Sequence, residues 1–446
     1  MSRTRKILLA VVALVLVALV GGYWYERPLL LTGTGYAAHN ACALDAIADR
    51  GSPEDDLPPN PLVPLLRTKL VEGDTAARST ILGVLAKQKA WATEGFGCTL
   101  SDGRPTSLPV ATKVSGARNP YSSAPAPAKI PATVDAALDK AFGEDLPTAE
   151  RADLGTRGVV VLKDGRLVAE RYAGGFSPTT PQLGWSMSKS VTNLLIGRLV
   201  KQGEITLADD HLRPEWTDQR SIITIRQLMQ MTSGLSWDET YALGTPITRM
   251  LYLEPDMGAY VASRKLSHDP GSYLQYSSGS TTLLCAIVTK GRGGADLPRR
   301  EIFRPLGLSS AVLEPDATGT PVCSSYMWAT PRDWAAVGQF ALQDGVWNGR
   351  RLLPVGWMAR STKAIDVTIE KDADGYASGW WSNQRPDGSL VEKSLPADAY
   401  FAEGHDGQWV IVVPSQKLVV ARLGFTPERE DDRAVTLAAD LVAALR

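Results

Sequence analysis

A serine and a lysine stand three residues apart in the stretch GWSMSKSVTNLLIGRLV, residues 184–200. The residues that follow have an apolar pattern typical of a helix. Positions i and i+3 of a helix share one face, so the amine of Lys189 can reach the hydroxyl of Ser186. A serine is a weak nucleophile until a base takes its proton, and a buried lysine with a lowered pKa can be that base. The spacing therefore indicates a nucleophile beside its base at a helix N-terminus, where free amides favour developing negative charge.

The same residues have a structural interpretation. Ser186 or Ser188 can cap the helix, and Lys189 can be a solvated surface charge. One Ser-x-x-Lys motif is expected by chance in a chain of 446 residues. The motif alone therefore leaves both interpretations open, and the choice depends on which other motifs accompany it.

Two later motifs carry further polar groups that are suited to catalysis. Tyr276-Ser277-Ser278 lies in YLQYSSGS just before another helical pattern, and His405-Asp406-Gly407 lies in GHDGQWVIVV at the start of a strand pattern. This order resembles the serine β-lactamase and penicillin-binding superfamily, which has Ser-x-x-Lys, then a serine- or tyrosine-based motif, then Lys-Thr-Gly on a strand. The segments IRQLMQMTSGLSWDETY and SSYMWATPRDWAAVGQF also resemble segments of that superfamily. The resemblance covers roughly residues 135–446.

Two departures narrow the resemblance. The second motif ends in Ser278, where β-lactamases usually have Asn, and the third motif has His405 where they have Lys. A histidine is close to neutral at physiological pH and holds a substrate carboxylate less well than a lysine. The chain therefore looks more like the esterase branch, with its class C-type tyrosine motif, and the 6-aminohexanoate-dimer hydrolases.

The resemblance implies a role for each motif residue. Ser186 would attack a carbonyl carbon and form an acyl-enzyme, and Lys189 would take the serine proton. Tyr276 would relay that proton to the leaving group. The backbone amides of Ser186 and Gln408 would form the oxyanion hole, and Gly407 would let the backbone approach the substrate.

Three other residues are expected to bind substrate. His405 would donate to the Tyr276 oxygen or to the substrate, the alternative being that it only packs at the start of a strand, and Ser278 completes the second motif. Tyr241 resembles the extra tyrosine that 6-aminohexanoate-dimer hydrolases place over the leaving amide. Asp406 is expected to be an ordinary exposed acid in a turn.

The elements that must position these residues predict an α+β, β-lactamase-like fold. RGVVVLKDGRLVAERYA reads as a hairpin that turns at Asp164-Gly165, and AYFAEGHDGQWVIVVPSQKLVVARLG adds three strands. Helices near residue 135 and in RAVTLAADLVAAL would flank this antiparallel sheet, and a mostly helical insert would lie between its strands. This hydrolase domain is expected to cover residues 131–446.

The N-terminus predicts a membrane anchor. Arg3, Arg5 and Lys6 precede an uncharged stretch, Ile7 to Tyr25, which is nearly long enough to cross a bilayer and ends in Tyr-Trp-Tyr. No clear Ala-x-Ala cleavage site follows, which favours a retained single-pass anchor over residues 1–30 rather than a cleaved signal peptide. The positive charges then place the catalytic domain in the periplasm or outside the cell.

Residues 31–130 are expected to form an N-terminal extension with short helical patterns such as LVPLLRTKLVEG, followed by an extended connector rich in Pro, Ser and Ala. In an exported chain Cys42 and Cys98 can form a disulfide that staples this extension, although two buried thiols are the alternative. A pair between Cys285 and Cys323 is less expected, because Cys285 sits in an apolar helical run that suits a small hydrophobic residue equally well.

Composition excludes several functions. The formal net charge is -1, with no long basic run, which argues against nucleic-acid binding. No Cys-x-x-Cys or His-Glu-x-x-His pattern occurs, so no metal or cofactor is expected. The sequence predicts a membrane-anchored serine hydrolase acting on a small ester or amide. A D,D-peptidase or class C-type β-lactamase, and a non-catalytic receptor for a peptidoglycan fragment on the same fold, are the alternatives.

Overall fold

The computed structural model of the chain describes residues 3–52, 55–73, 75–370, 373–427, 429 and 431–446. The helices in chain order are α1 Arg3–Ala46, α2 Ala132–Ala141, α3 Thr148–Leu154, α4 Met187–Gln202, α5 Ile225–Met229, α6 Pro246–Tyr252, α7 Met257–Ala262, α8 Ser278–Thr289, α9 Arg304–Leu306, α10 Pro331–Leu342, α11 Trp357–Ser361 and α12 Ala434–Ala444.

The strands in chain order are β1 Leu66–Val71, β2 Ala76–Ile81, β3 Leu85–Thr93, β4 Gly97–Leu100, β5 Thr156–Lys163, β6 Arg166–Tyr172, β7 Gln182–Leu183, β8 Tyr273–Leu274, β9 Val312–Leu313, β10 Met327–Ala329, β11 Val346–Trp347, β12 Arg350–Arg351, β13 Thr368–Ile369, β14 Trp381–Ser382, β15 Tyr400–Gly404, β16 Gln408–Val413 and β17 Leu418–Gly424.

The main sheet is antiparallel and has the order β14-β15-β16-β17-β5-β6. Helices α2 and α12 bury apolar side chains on one face of it, and α10 packs on the other face beside the helical insert. The turn between β5 and β6 has positive φ at both Asp164 and Gly165, as a two-residue hairpin with right-handed twist requires. This arrangement confirms the α+β class, with terminal helices flanking the sheet.

Local signals also set the start of α10. The Thr330 hydroxyl accepts a hydrogen bond from the Asp333 amide, and Pro331 occupies the first turn, where its missing N–H is not needed. The helix then carries Trp334 and Phe340 fully buried into the core. A cap and an apolar stripe are thus enough to predict this element.

The N-terminal extension is built differently from the expectation. The segment LVPLLRTKLVEG is not helical: a short turn at Val63–Leu65 leads into β1, which is an edge of the antiparallel sheet β1-β2-β3-β4. Pairing with β2 and packing of this sheet on α1 decide its structure, because such tertiary contacts override a weak local helical pattern. The extension is therefore a helix packed on a sheet.

Helix α1 also runs straight through the expected boundary at residue 30. Its N-terminal apolar part is exposed, and residues 31–44 are mostly buried against β1-β2-β3-β4 and α6. A disulfide links Cys42 of α1 to Cys98 of β4. The possible anchor and the extension are consequently one continuous helix.

A second disulfide links Cys285 to Cys323, the pair that the sequence made less expected. Cys285 lies on α8, and Cys323 comes from a loop 38 residues later that packs beside it. The apolar pattern around Cys285 is compatible with a small hydrophobic residue and with a bridge, so periodicity could not separate the two.

The connector over residues 104–130 has no strand and only a short 3-10 turn at Gly116–Arg118, and it is fixed to the segments that follow it. Asn119 is buried and donates to the Asp333 carboxylate at 2.6 Å, and the Tyr121 hydroxyl donates to the Gly165 carbonyl at 2.9 Å. These contacts hold the connector against α10 and against the turn between β5 and β6.

Candidate active site

Ser186 lies at the start of α4, directly after a tight turn. Gly184 donates its amide to the Met327 carbonyl, and Trp185 follows with φ of 47°, a left-handed conformation that is uncommon for a residue with a side chain. A Cβ on Gly184 would lie 2.1 Å from the Trp334 ring, so only glycine fits there. The strained turn fixes the direction in which the chain enters α4, and with it the position of Ser186.

Lys189 lies one turn further along α4 and points at the serine. Its Nζ is 2.8 Å from Ser186 Oγ, 2.8 Å from Ser278 Oγ and 3.1 Å from the Ser324 carbonyl oxygen. The residue is only 2% exposed, and this burial lowers the pKa of Lys189 to about 8, although Glu239 acts in the opposite direction. The interpretation of Lys189 as a solvated surface charge is therefore wrong.

Tyr276 lies on the other side of the serine. It lines the same cleft as Ser186, and its ring centroid is 4.9 Å from Lys189 Nζ. The ring is held by Trp381, which stacks on it at 5.3 Å, and by the edge of Tyr376 at 5.2 Å. Burial raises the pKa of Tyr276 well above its usual value, so the phenol is protonated at neutral pH.

Ser278 does not lie on the wall of the cleft. Its side chain is fully buried, and its hydroxyl bonds both to Lys189 and to the carboxylate of Glu239. Its amide also donates to Glu239 at 2.8 Å. Ser278 is thus placed to position the lysine, whereas the sequence expected it to contact the substrate.

Glu239 is the residue of this site that the sequence reasoning missed. Besides Ser278, its carboxylate accepts the indole N–H of Trp237 at 2.6 Å. A signal was present, because an acid stands between Trp237 and Tyr241 in the segment that carries the family resemblance. Spacing alone did not reveal that the Glu239 side chain is the one that contacts Ser278 of the second motif.

His405 and Tyr241 meet although they are far apart in the chain. Their rings stack with centroids 4.3 Å apart and planes within 10° of each other, and the edge of Trp185 contacts both. His405 Nε2 lies 3.2 Å from the Asp406 carboxylate. That acid is buried, and burial raises the pKa of Asp406, so the expectation of an exposed turn residue is wrong.

The third motif forms the turn between β15 and β16. Gly407 has φ of 80°, and a Cβ there would lie 2.3 Å from a guanidinium nitrogen of Arg422. Gly404 packs equally closely on the Gly184 carbonyl, which presses the end of β15 against the turn that carries Ser186. Gln408 pairs with Gly404, and its side chain bonds to the backbone of Gly424.

These elements enclose an open cleft of about 410 Å³. Its lining includes Ser186, Tyr276, Tyr241, His405 and Gly407. Lys189, Ser278 and Gln408 stand behind this surface. The lining also includes several acidic residues.

These acidic residues are Glu239, Glu403, Asp406 and Asp432, and Arg429 is a cation in the same lining. Burial and the nearby Asp432 raise the pKa of Glu403 to about 7. Within the described part of the chain, no group of three or more His, Cys, Asp or Glu residues is arranged to hold a metal ion. Ser186, Lys189 and Tyr276 bring a hydroxyl, an amine and a phenol close together at this cleft.

A family model described as beta-lactamase matches residues 144–445. The chain belongs to the beta-lactamase family. Among solved structures, a Bacillus anthracis protein assigned as a 6-aminohexanoate-dimer hydrolase aligns with a TM-score of 0.60 and 24% identity, over 75% of this chain and 90% of that one. A penicillin-binding protein homolog from Caulobacter crescentus aligns with a TM-score of 0.55 and 19% identity, over 71% and 98%. These likenesses confirm the beta-lactamase-like fold.

Curated relatives align with a smaller share of this chain. Protein flp of Staphylococcus aureus strain N315 is 26% identical over 284 residues, which cover 55% of this chain and 55% of that protein. The 6-aminohexanoate-dimer hydrolase of Paenarthrobacter ureafaciens is 26% identical over 264 residues, or 53% and 66%. The chain thus spans little more than half the length of the first of these relatives.

Proposed function

We propose that this member of the beta-lactamase family is a serine hydrolase that cleaves an ester or a small amide through an acyl-enzyme on Ser186. The observation that carries the proposal is the contact of 2.8 Å between Lys189 Nζ and Ser186 Oγ, made by a buried amine whose pKa is lowered to about 8. An amine with this pKa is partly neutral under physiological conditions and can accept the serine proton.

In the proposed acylation step, neutral Lys189 takes the proton of Ser186 while the serine oxygen bonds to the substrate carbonyl carbon. The carbonyl oxygen becomes an oxyanion, held by the backbone amides of Ser186 and Gln408. When this intermediate collapses, the bond to the leaving group breaks. Tyr276 then gives its proton to the leaving group and regains one from the Lys189 ammonium.

In the second step, water attacks the acyl-enzyme. Lys189 takes a proton from the water, the ester bond to Ser186 breaks, and the acid product leaves as the serine recovers its proton. Tyr276 suits the role of proton donor rather than first base because its raised pKa keeps the phenol protonated. Burial lowers the pKa of Lys189 and raises that of Tyr276, which supports the lysine as the base and the tyrosine as the proton donor.

The charges of the cleft favour an ester or neutral amide over a β-lactam or a D-alanyl peptide. Such substrates carry a carboxylate, and this cleft has His405 at the position of the usual lysine, while its lining contains Asp432, Glu239 and a Glu403 whose raised pKa of about 7 leaves it partly charged, against one cation, Arg429. Like charges in one cleft repel. D,D-peptidase or β-lactamase activity is therefore the weaker candidate.

The first experiment is a panel of short esters, linear amides and a chromogenic cephalosporin, run with a fluorophosphonate probe. Ser186→Ala abolishes turnover and labelling on this proposal, whereas Ser272→Ala, at an exposed serine, changes neither. Labelling that survives Ser186→Ala contradicts the proposal. A stable acyl adduct that never hydrolyses supports the receptor alternative, and cephalosporin turnover supports the β-lactamase alternative.

The first part of α1 supports a single-pass anchor. It is long and apolar enough to cross a membrane, and the apolar window has none of its surface buried. A cleaved signal sequence passes the same test, so the N-terminal residue of the mature protein decides between them. Sodium carbonate leaves an anchored protein in the membrane pellet, and protease added to intact cells or spheroplasts reports the side on which residues 131–446 lie.

A further inference from the structure

A second cavity adjoins the catalytic cleft. It has a volume of about 420 Å³, within the range of about 300–1,000 Å³ that is usual for small-molecule sites. Tyr241 and His405 line both cavities, so this stacked pair forms the partition between them. Because it shares these two residues with the cleft that holds Ser186, the second cavity is a candidate extension of the substrate site.

The N-terminal extension supplies one wall of this cavity. Thr32 and Tyr36 come from α1, and residues 58–61, which include three prolines, come from the segment before β1. The ring of Tyr36 packs on Tyr252 at 5.0 Å and on Trp185 at 6.3 Å, which fixes α1 beside the turn that carries the nucleophile. The pocket is consequently incomplete without the residues that precede the family match.

The opposite wall comes from the hydrolase domain and is also largely apolar. It consists of Trp185, Tyr241, Ala242, Leu243, Thr248, Tyr252 and His405. Apart from His405, the described residues around this cavity include no Asp, Glu, Lys or Arg. Its occupant is therefore expected to be uncharged.

The polar atoms of the wall are mostly satisfied within the protein. Thr32 Oγ1 donates to the Leu29 carbonyl at 2.7 Å, Thr248 Oγ1 donates to the Ala242 carbonyl at 2.9 Å, and the Tyr36 hydroxyl donates to the Asp56 carbonyl at 3.2 Å. The Tyr241 hydroxyl is the exception, because it is buried with no hydrogen-bond partner of its own in the described structure. The pocket thus offers apolar contact along its length and one free donor at its junction with the cleft.

The proposed catalytic roles indicate which part of the substrate would enter the second cavity. Tyr276, which protonates the leaving group in the proposed mechanism, lines the cleft and is not among the residues around the second cavity. The leaving group then lies toward Tyr276, and the scissile bond lies near Ser186 beside Tyr241. The acyl part is left to extend past the partition into the apolar cavity.

We infer that this cavity binds the aliphatic acyl chain of the substrate, and that the N-terminal extension thereby sets acyl-chain selectivity; this rests on the proposed serine-hydrolase function. The same helix carries the exposed apolar segment that ends at Tyr23–Tyr25. At about 1.5 Å per residue, Tyr36 lies roughly 20 Å along α1 from Tyr23. The site is therefore close to where an apolar ester would partition into a membrane.

The test uses p-nitrophenyl esters of increasing acyl length with the full chain in lipid nanodiscs, so that the leaving group stays constant. Each methylene that enters an apolar pocket is worth about a threefold to fourfold gain in kcat/KM. We expect kcat/KM to rise from acetate to hexanoate or octanoate and to fall once the cavity is full. A flat profile from acetate to octanoate overturns the inference.

Leu243→Trp and Leu243→Ala change the volume of the cavity in opposite directions. We expect Leu243→Trp to lower the octanoate-to-acetate ratio of kcat/KM by at least tenfold, and Leu243→Ala to move the optimum to longer chains. Val110→Trp, at a residue 95% exposed elsewhere on the surface, is the matched control and leaves the ratio unchanged. Because each ratio is taken within one variant, partial loss of folded protein does not alter it.

The outcomes separate the two proposals. If acetate hydrolysis depends on Ser186 but neither chain length nor Leu243→Trp changes the ratio, the acyl-pocket inference fails and the serine-hydrolase proposal stands. If no ester is turned over and no probe labels Ser186, the serine-hydrolase proposal itself fails and takes the inference with it.

Discussion

Ser278 Oγ lies 2.8 Å from Lys189 Nζ and also bonds to the carboxylate of Glu239, so a buried hydroxyl connects the amine to an acid. The acid favours the charged form of the lysine, whereas burial disfavours it more strongly. Because the serine stands between them, the carboxylate does not form a direct ion pair with the amine. This arrangement is consistent with an amine whose pKa is about 8 rather than one that is permanently protonated.

Activity should depend on the ionisation of Lys189. The neutral amine is the competent base, and its fraction grows as pH rises through its pKa of about 8. We expect kcat/KM for a p-nitrophenyl ester to rise with pH and reach half its maximum near pH 8. Lys189→Ala should lower kcat/KM by about 10²- to 10⁴-fold, whereas Lys201→Ala, exposed near the end of the same helix, should not. A profile that is level from pH 6 to 9 would contradict the assignment.

Glu239→Gln should move the pH profile rather than abolish activity. The amide oxygen can still accept the N–H groups of Ser278 and Trp237, and its NH2 then faces the Ser278 hydroxyl, but the neutral side chain no longer favours the ammonium form of Lys189. The pKa of the lysine then falls, and the midpoint of kcat/KM shifts to lower pH. The measurement is the full pH–rate profile beside wild type, and a variant that loses activity equally at every pH would indicate a merely structural role.

Tyr276→Phe should discriminate between leaving groups. If the phenol protonates the departing oxygen or nitrogen, its loss costs about 10²- to 10⁴-fold in kcat/KM for an alkyl ester or an amide. A p-nitrophenolate needs no proton to leave, so its ester should lose much less. Equal losses for both substrate types would remove Tyr276 from the role of proton donor.

Gly407→Ala should destabilise the turn between β15 and β16. The residue has φ of 80°, and an added Cβ would meet the buried Arg422 guanidinium at 2.3 Å. We expect the free energy of unfolding to fall by about 1–3 kcal/mol, measured by urea denaturation of the purified chain. Gly174→Ala is the control, since nothing lies within 4 Å of its Cβ position. Equal stability of the two variants would argue against a close approach at this turn.

Several elements could be predicted from sequence because their determinants are local. The turn at Asp164-Gly165, the Thr330 cap with Pro331, and the closing helix α12 each depend on a few neighbouring residues. The serine and lysine share this property, since one turn of α4 is enough to bring Lys189 to Ser186. The order of the motifs then indicated the family.

Other features were decided only by the tertiary structure. The Cys285–Cys323 bridge, the burial of Asp406 and the inward turn of Glu239 all depend on contacts between segments that are distant in the chain. The strand β1 formed against a helical pattern because pairing with β2 and packing on α1 outweighed local preference.

The sequence by itself determined which groups can do chemistry and the local elements that carry them, because spacing within a turn or a helix depends on bonded geometry alone. Only the tertiary structure decided which side chains are buried, which pKa values are shifted, and that α1 and residues 58–61 complete an apolar cavity beside Ser186. Burial and cavity shape depend on how distant segments pack, and no local pattern specifies that packing.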